Sequence, residues 1–120
     1  MGQVATFELP VPPSVNHYYV RGFRGAVGIS KKGKLYRAAV VAALKQLGLH
    51  FTGRLDVSIV YVPATIHPQL DLDNILKCLL DSLTHAKVWK DDGQIDRLLV
   101  ERALIQPPGC VSVTVREINA

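Results

Sequence analysis

The amino-acid sequence predicts an α+β fold, a single domain in which two main helices pack on a mixed β-sheet. Short runs alternate apolar and polar residues as strands do, two longer runs carry apolar residues at helical spacing, and no repeat or low-complexity tract separates them. A chain of 120 residues is long enough for one modest core and too short for two, so residues 1–120 are expected to form one domain. The predicted order of elements is β, hairpin, α, β, α, β, β.

The first third of the chain is predicted to hold a strand and a hairpin. Residues 3–9 alternate as a strand does, and Pro10, Pro12 and Pro13 end it because proline has no N–H to donate to a ladder. A stretch with several glycines and arginines follows, and a short hairpin is predicted over residues 19–30.

Ser30 is predicted to cap the first main helix, which extends over residues 31–47 and stops at Gly48. Its apolar side chains recur at helical spacing. The stripe expected to face the core consists of Leu35, Ala39, Val40, Ala43, Leu44 and Leu47.

The second half of the chain is predicted to contain a strand, a helix and two further strands. Residues 55–62 alternate, and Pro63 ends that strand. The helix is predicted over residues 74–86, with Ile75, Leu76, Leu79, Leu80 and Leu83 on its buried face and Asn74, Lys77, Asp81 and Thr84 opposite. Strands over residues 95–105 and 110–117 close the chain, joined by a turn at Pro107-Pro108-Gly109.

The charge balance favours a polyanionic partner. Fourteen Lys and Arg against ten Asp and Glu give a net charge of +4, and half of the acids lie between Leu70 and Ile95. The rest of the surface is therefore more basic than the net charge indicates. Such a field favours nucleic acid or another phosphate polymer, although many small proteins carry a similar charge for solubility alone.

The cysteine pattern and the absence of membrane signals predict a cytoplasmic protein. Cys78 and Cys110 lack metal-ligand spacing and are expected to be reduced, so no disulfide is predicted. No apolar stretch reaches the length of a membrane span, and the N-terminus does not match a signal peptide.

Acidic residues cluster around the second predicted helix and indicate a metal site. Asp71 and Asp73 precede the helix, Lys77 follows one turn later, and the Asp91-Asp92 pair comes after its end. Neighbouring carboxylates repel unless a cation lies between them, and clusters that offer only oxygen suit hard cations such as Mg²⁺.

Each of these residues also has a structural interpretation. Asp71 or Asp73 could cap the helix, Asp91-Asp92 could belong to a turn before Gly93, and Lys77 could form surface ion pairs. Other kinds of site are excluded by spacing. The chain has no calcium-binding EF-hand loop, no P-loop, no G-x-S-x-G and no zinc-like pair among its four histidines.

Four motifs follow one another in order along the chain: L-P-V-P-P-S-V-N-H-Y-Y (9–19), I-S-K-K-G-K-L-Y-R (29–37), D-L-D-N-I-L-K (71–77) with L-L-D-S-L (79–83), and V-W-K-D-D-G-Q-I (88–95). With these motifs the chain resembles the RusA family of Holliday-junction resolvases, small endonucleases often carried by prophages. The resemblance implies Mg²⁺-dependent paired nicking of four-way DNA junctions by a homodimer, with Mn²⁺ as a possible substitute. It implies neither a membrane partner nor a small-molecule cofactor.

The resemblance also assigns roles to the acidic cluster. It implies that Asp71, Asp73 and Asp92 bind the metal, that Lys77 is catalytic and that Asp91 assists as the adjoining acid. Where some members have arginines before the D-x-D-N motif, this chain has A-T-I-H-P-Q-L (64–70), which leaves the strength of junction binding open.

Basic residues of the hairpin and the first helix are predicted to contact the DNA backbone: Arg21, Arg24, Lys31, Lys32, Lys34 and Arg37. Two other functions compete with nuclease activity, a junction-binding architectural protein that does not cleave and a Mg²⁺ phosphohydrolase of small phosphoesters. Retention of the aspartates and the lysine disfavours the first, and the eight residues between Val62 and Asp71 disfavour the second.

The assembly of the site is open between two arrangements. A helix of this length carries the chain about 20 Å away from Asp73 before Asp92 appears. Either the intervening residues run back along the same helix, with Val88 and Trp89 packed into the core, or Asp92 completes the site of a partner subunit. We favour the return within one chain.

Overall fold

The computed structural model describes residues 2–22, 25–66 and 70–118, and it confirms the α+β class with a mixed sheet and two main helices. In chain order the elements are β1 (Val4–Leu9), α1 (Val15–Tyr18), β2 (Tyr19–Arg21), β3 (Val27–Ile29), α2 (Lys31–Leu44), β4 (Leu55–Val62), α3 (Leu72–His85), β5 (Ile95–Arg102) and β6 (Cys110–Glu117). Two 3₁₀ turns, Lys45–Leu47 and Asp92–Gln94, follow α2 and precede β5. No helix of the described chain is long and apolar enough to cross a membrane.

The main sheet has the strand order β1-β6-β4-β5. β6 pairs antiparallel with both of its neighbours, whereas β4 and β5 are parallel. Two parallel strands require a crossover connection, and α3 provides it between β4 and β5. The strands β2 and β3 form a separate antiparallel hairpin where one was predicted.

One face of the sheet forms the core together with α2 and α3. The predicted bounds and buried face of β4 are confirmed: Leu55, Val57, Ile59 and Tyr61 are all at most 3% exposed. Both cysteines are free, and Cys78 is buried in α3. The strand β5 ends at Arg102, three residues earlier than predicted.

The predicted start of α2 and the stop at Gly48 are confirmed, although the α-helix ends at Leu44 and the last three predicted residues form a 3₁₀ turn. The predicted buried stripe of α2 is wrong. The Ser30 hydroxyl accepts a hydrogen bond from the Gly33 amide at 3.0 Å, and Gly48 has a left-handed φ of 59° after the 3₁₀ turn. Of the six stripe residues only Val40 and Leu44 are buried, while Leu35, Leu47 and the two alanines are exposed. The face that enters the core contains Gly33, Tyr36, Val40 and Leu44.

The predicted stripe is wrong because Gly33 lies on the inner side of α2, where it allows Tyr18 to approach the helix closely. A Cβ at this position would lie 2.7 Å from Tyr18 Cδ1 and 2.8 Å from the Tyr18 carbonyl oxygen. α1, which was not predicted, delivers Tyr18 to that contact. Apolar spacing alone does not reveal that a glycine lies on the inner side of the helix.

Candidate active site

One face of α3 carries Asp73, Lys77 and Asp81, spaced four residues apart. The helix begins at Leu72, two residues earlier than predicted, so Asp73 lies in its first turn. The opposite face is buried through Ile75, Cys78, Leu79, Ser82 and Leu83. Burial of that face fixes the orientation of the helix and holds the charged face at the surface.

Lys77 is held between two side chains. Its Nζ lies 3.5 Å from Asp81 Oδ1, one turn further along α3. The negative charge of Asp81 raises the pKa of Lys77, and the nearby Tyr19 hydroxyl of β2 raises it further. Lys77 therefore remains a cation, and about half of its side chain stays exposed to a ligand.

The chain reverses direction after α3. Lys87 adopts a left-handed φ of 64°, and the Val88 amide donates to the Leu83 carbonyl at 3.1 Å, which closes the end of the helix. Val88 and Trp89 are buried, as predicted, and Trp89 Nε1 donates to Thr84 Oγ1 at 2.7 Å. The segment thus runs back along α3, as an arrangement within one chain requires.

Asp91 caps the 3₁₀ turn that follows. Its Oδ1 accepts a hydrogen bond from the Gly93 amide at 2.9 Å, while Gln94 Oε1 accepts from the Asp91 amide at 3.1 Å. Gln94 Nε2 also donates to the carbonyls of Phe51 and Gly53, which fastens the turn to the chain before β4. Asp91 therefore belongs to a turn, as its structural interpretation predicted, whereas the side chain of the neighbouring Asp92 is exposed.

Asp92 reaches the charged face of α3. Partial burial raises its pKa, and the neighbouring carboxylates of Asp91 and Asp81 raise it further, while Lys77 opposes them. Three carboxylates and one ammonium thus influence one another in this region. The excess of negative charge favours binding of a cation.

Asp71 and Asp73 lie at the N-terminal end of the same helix. Asp71 occupies the N-cap position, but its side chain makes no capping hydrogen bond, so its oxygens are available. The charges that act on Asp92 come from the adjacent Asp91 and from Asp81 and Lys77, which lie further along α3 than Asp73. Within residues 2–22, 25–66 and 70–118, no three acidic, His or Cys side chains are close enough to form a metal cage.

The predicted DNA-contact residues occupy several positions. Arg21 of β2 and three lysines in the first turn of α2 (Lys31, Lys32 and Lys34) are exposed. Arg24 lies outside the described residues. Arg37 differs from the others, because it is half-buried and its Nε is buried with no hydrogen-bond partner in the described chain.

Three residues near Lys77 were not predicted as part of the site. Asp81 was interpreted only as a surface ion-pair partner, although its i,i+4 spacing from Lys77 is visible in the sequence. Tyr18 and Tyr19 gave no such signal, because only the packing of α1 against α3 brings them there. Burial raises the pKa of Tyr18 to about 12, with a further contribution from Asp81.

Comparisons with known proteins identify relatives over almost the whole chain. A family model described as endodeoxyribonuclease RusA matches residues 9–116. The chain is 42% identical over 118 residues to a crossover junction endodeoxyribonuclease of Enterobacteria phage HK97, with 95% of each chain covered. It is 34% identical to the enzyme of the same name from Shigella sonnei and 33% identical to that from Escherichia coli K12, again with 95% of each chain covered.

Proposed function

This chain belongs to the RusA family of endodeoxyribonucleases, and we propose that it is a metal-dependent hydrolase that resolves four-way (Holliday) DNA junctions by paired nicks in the cytoplasm. Its relatives are named crossover junction endodeoxyribonucleases. The observation that best supports the proposal is the charged face of α3, where Lys77 lies beside Asp81 and Asp92 approaches from the returning segment.

The exposed basic residues lie on elements next to that face. The Ser30 amide donates to the Tyr18 carbonyl at 2.8 Å, which places the start of α2 against the end of α1. The next residue, Tyr19, contacts Lys77. A DNA backbone bound by Arg21, Lys31, Lys32 and Lys34 would therefore pass close to Lys77.

The proposed metal ligands are Asp71, Asp73 and Asp92, whose carboxylate oxygens suit Mg²⁺ or Mn²⁺, although the three are not close enough in the described chain to form a closed metal site. All three are exposed carboxylates, and Asp71 makes no capping hydrogen bond that would compete. A divalent cation bound there would supply a water of lowered pKa as nucleophile and would neutralise charge on the scissile phosphate.

Lys77 and Asp91 have separate roles in the proposal. The half-exposed ammonium of Lys77 binds the phosphate and stabilises the negative charge that develops on it. Asp91 holds the 3₁₀ turn through its hydrogen bond to Gly93, and the turn orients Asp92.

The proposed active form is a homodimer. A four-way junction has two-fold symmetry, and its resolution requires cuts in two opposed strands. One active site per chain then requires two chains.

A nicking assay tests the proposed function. Synthetic four-way junctions and linear duplexes of the same sequence are incubated with Mg²⁺ and, separately, with a chelator. We expect the wild-type protein to make paired nicks in the junction when Mg²⁺ is present and none when the chelator is present. Asp73→Asn should not cleave the junction but should still bind it. Equal cleavage of the linear duplex, or full activity in the chelator, would contradict the proposal.

A further inference from the structure

Two buried donor groups lie behind the charged face of α3 and have no hydrogen-bond partner among the residues that the structure describes. They are the Tyr18 hydroxyl of α1 and the Nε of Arg37 in α2. Tyr18 is 0% exposed, so bulk water does not reach its hydroxyl. Buried polar groups are almost always paired, because an unpaired one loses its hydrogen bonds to water and gains none. The two unpaired donors therefore point to an acceptor close by.

The carboxylate of Asp81 lies near both donors. α1 packs on α2 and α3, and α2 packs on α3, so the three helices meet at one place. Burial is the largest cause of the raised pKa of Tyr18, Asp81 adds to it, and Arg37 opposes it. The same two charges act in opposite directions on the pKa of the Cys78 thiol, which burial raises most. These shared effects place Tyr18, Arg37 and Asp81 close to one another.

Asp81 is also the ion-pair partner of Lys77. Its Oδ1 lies 3.5 Å from the Lys77 Nζ, and its side chain is only 26% exposed. A carboxylate has two oxygens and accepts several hydrogen bonds, so Oδ1 can hold the ammonium while Oδ2 accepts from a donor behind it. Asp81 thus lies between the half-exposed lysine and the buried pair.

We propose that Asp81 is a positioning residue of the nuclease, which holds the Lys77 ammonium towards the scissile phosphate while Tyr18 and Arg37 hold Asp81 from behind. The inference rests on the proposed function, and it assigns Arg37 to the support of the active site instead of to the DNA backbone. Lysine carries its ammonium on a flexible stem, so an ammonium already held in place loses less freedom when the transition state forms.

The proposal differs from two other roles for Asp81. As a metal ligand, Asp81 would set the concentration of Mg²⁺ that the enzyme requires. As a plain surface ion pair, it would contribute little to the reaction. As a positioning residue it acts only through Lys77, so its loss lowers the rate of the bound complex without weakening the binding of metal or DNA.

Asp81→Asn tests these roles, because it keeps the shape of the side chain and removes its charge. The kcat of junction nicking should fall about tenfold or more, with the KM for the junction and the Mg²⁺ concentration for half-maximal rate unchanged. Asp56→Asn removes the carboxylate of another ion pair, 3.1 Å from Arg97, and should keep the wild-type kcat. An unchanged kcat in Asp81→Asn, or a raised Mg²⁺ requirement, would overturn the proposal.

Tyr18→Phe tests the support behind Asp81. It removes only the hydroxyl and keeps the ring, whose centroid lies 4.9 Å from that of Tyr19. We expect kcat to fall about threefold or more, and to fall no further when the variant is combined with Asp81→Asn, because Tyr18 acts through Asp81. Tyr36→Phe removes a hydroxyl that donates to the Pro10 carbonyl at 2.7 Å and should keep the wild-type kcat. A wild-type kcat in Tyr18→Phe, or additive losses in the double variant, would contradict this support.

The salt dependence of junction binding, measured with a chelator present, tests the role of Arg37. Each phosphate contact contributes about 0.9 to the slope of log Kd against log salt concentration. Arg37→Gln should keep the wild-type slope and lose kcat, whereas Lys32→Gln, at an exposed lysine proposed to contact DNA, should lose about that amount of slope. A reduced slope in Arg37→Gln would place Arg37 on the DNA backbone and overturn its part in the proposal.

An NMR measurement without DNA or Mg²⁺ separates the positioning of Lys77 from enzymatic activity. An ammonium held by partners exchanges its protons slowly with water, so it gives a cross-peak in a hydrogen–nitrogen correlation spectrum of the lysine side chains at low temperature. The cross-peak that disappears in Lys77→Met identifies Lys77. It should be present in the wild-type protein and in Tyr36→Phe, weaker in Tyr18→Phe and absent in Asp81→Asn.

The spectrum gives distinct results for the two proposals. A Lys77 cross-peak that persists in Asp81→Asn, or none in the wild-type protein, would overturn the positioning role even if the enzyme nicks junctions. The expected spectra from a wild-type protein that fails to nick junctions would refute the proposed function and leave the hold of Asp81 on Lys77 standing.

Discussion

The ammonium of Lys77 lies 3.5 Å from the carboxylate of Asp81, one helical turn further along α3. The sequence left two interpretations of Lys77 open, a surface ion pair and a contact to phosphate. The structure contains the ion pair, and the lysine side chain is also 52% exposed, so it can contact a ligand without leaving Asp81. The ion pair and Tyr19 together restrict where the ammonium can lie.

The first prediction separates structure from catalysis at Lys77. Lys77→Met removes a partly exposed ion pair, which is worth less than about 1 kcal/mol, so Tm should change little. Junction cleavage should fall by at least about 100-fold, because the charge that stabilises the phosphate is lost. Lys45→Met, at the far end of α2, is the control and should keep wild-type turnover. Wild-type turnover in Lys77→Met would show that Lys77 only forms a surface ion pair and has no catalytic role.

The second prediction concerns the close contact between Gly33 and Tyr18. Alanine at this position favours the helix but places its Cβ within 2.8 Å of the Tyr18 backbone oxygen, so the unfolding free energy should fall by about 1–3 kcal/mol. Cleavage should also decrease, because Tyr18 precedes the Tyr19 that contacts Lys77.

Gly28→Ala provides the comparison for Gly33→Ala. A Cβ at Gly28 meets nothing within 4 Å, so this variant should unfold like the wild-type protein in urea. Equal stability of both alanine variants would show that α1 does not pack on α2 as described.

The regular elements could be predicted from the sequence because their periodicity matches their burial. β4 alternates without interruption, and its predicted bounds are correct. α3 has apolar residues at helical spacing, and its predicted ends differ from the observed ones by only one or two residues. The buried face of α2 could not be predicted, since a glycine forms part of it and several exposed positions carry alanine or leucine.

The candidate site could be predicted only where its residues belong to local motifs. The acids and Lys77 are close in sequence or part of a recognisable motif, and the return of the chain past Trp89 agrees with the preferred arrangement. Tyr19 is 58 residues before Lys77 in the chain, and no local pattern connects them. Such contacts depend on how α1, α2 and α3 pack together.

The third prediction concerns the hydrogen bond that joins the returning segment to α3. Thr84→Val preserves shape but leaves the buried Nε1 of Trp89 without its acceptor, which should cost about 1–3 kcal/mol of unfolding free energy. Thr52→Val alters an exposed threonine and should be nearly neutral. Denaturant unfolding of the two variants measures the difference, and similar losses in both would show that this hydrogen bond does not hold the segment.

The fourth prediction links the pKa of Asp92 to stability. Partial burial is the largest cause of the raised pKa, and the carboxylates of Asp91 and Asp81 raise it further. A carboxyl group whose pKa is higher in the folded chain binds its proton more tightly there, so ionised Asp92 destabilises the fold at neutral pH. Protonation removes that cost as the pH falls below the pKa of the unfolded chain. Asp92→Asn should therefore raise Tm at pH 7, and the gain should vanish near about pH 3.

Asp96→Asn has the opposite expected sign and is the matched control. A hydrogen bond from Arg54 lowers the pKa of Asp96, so its ionised form stabilises the fold at neutral pH, and that contribution is lost as the pH falls through the folded-state pKa. The Tm of this variant should be below that of the wild-type protein at pH 7 and should approach it in acid.

If Asp92 is a metal ligand, Mg²⁺ should in addition raise the Tm of the wild-type protein and of Asp96→Asn more than that of Asp92→Asn, because binding to the folded state stabilises it. A Tm for Asp92→Asn below wild type at pH 7 would show that the charges around Lys77 are already balanced without a cation.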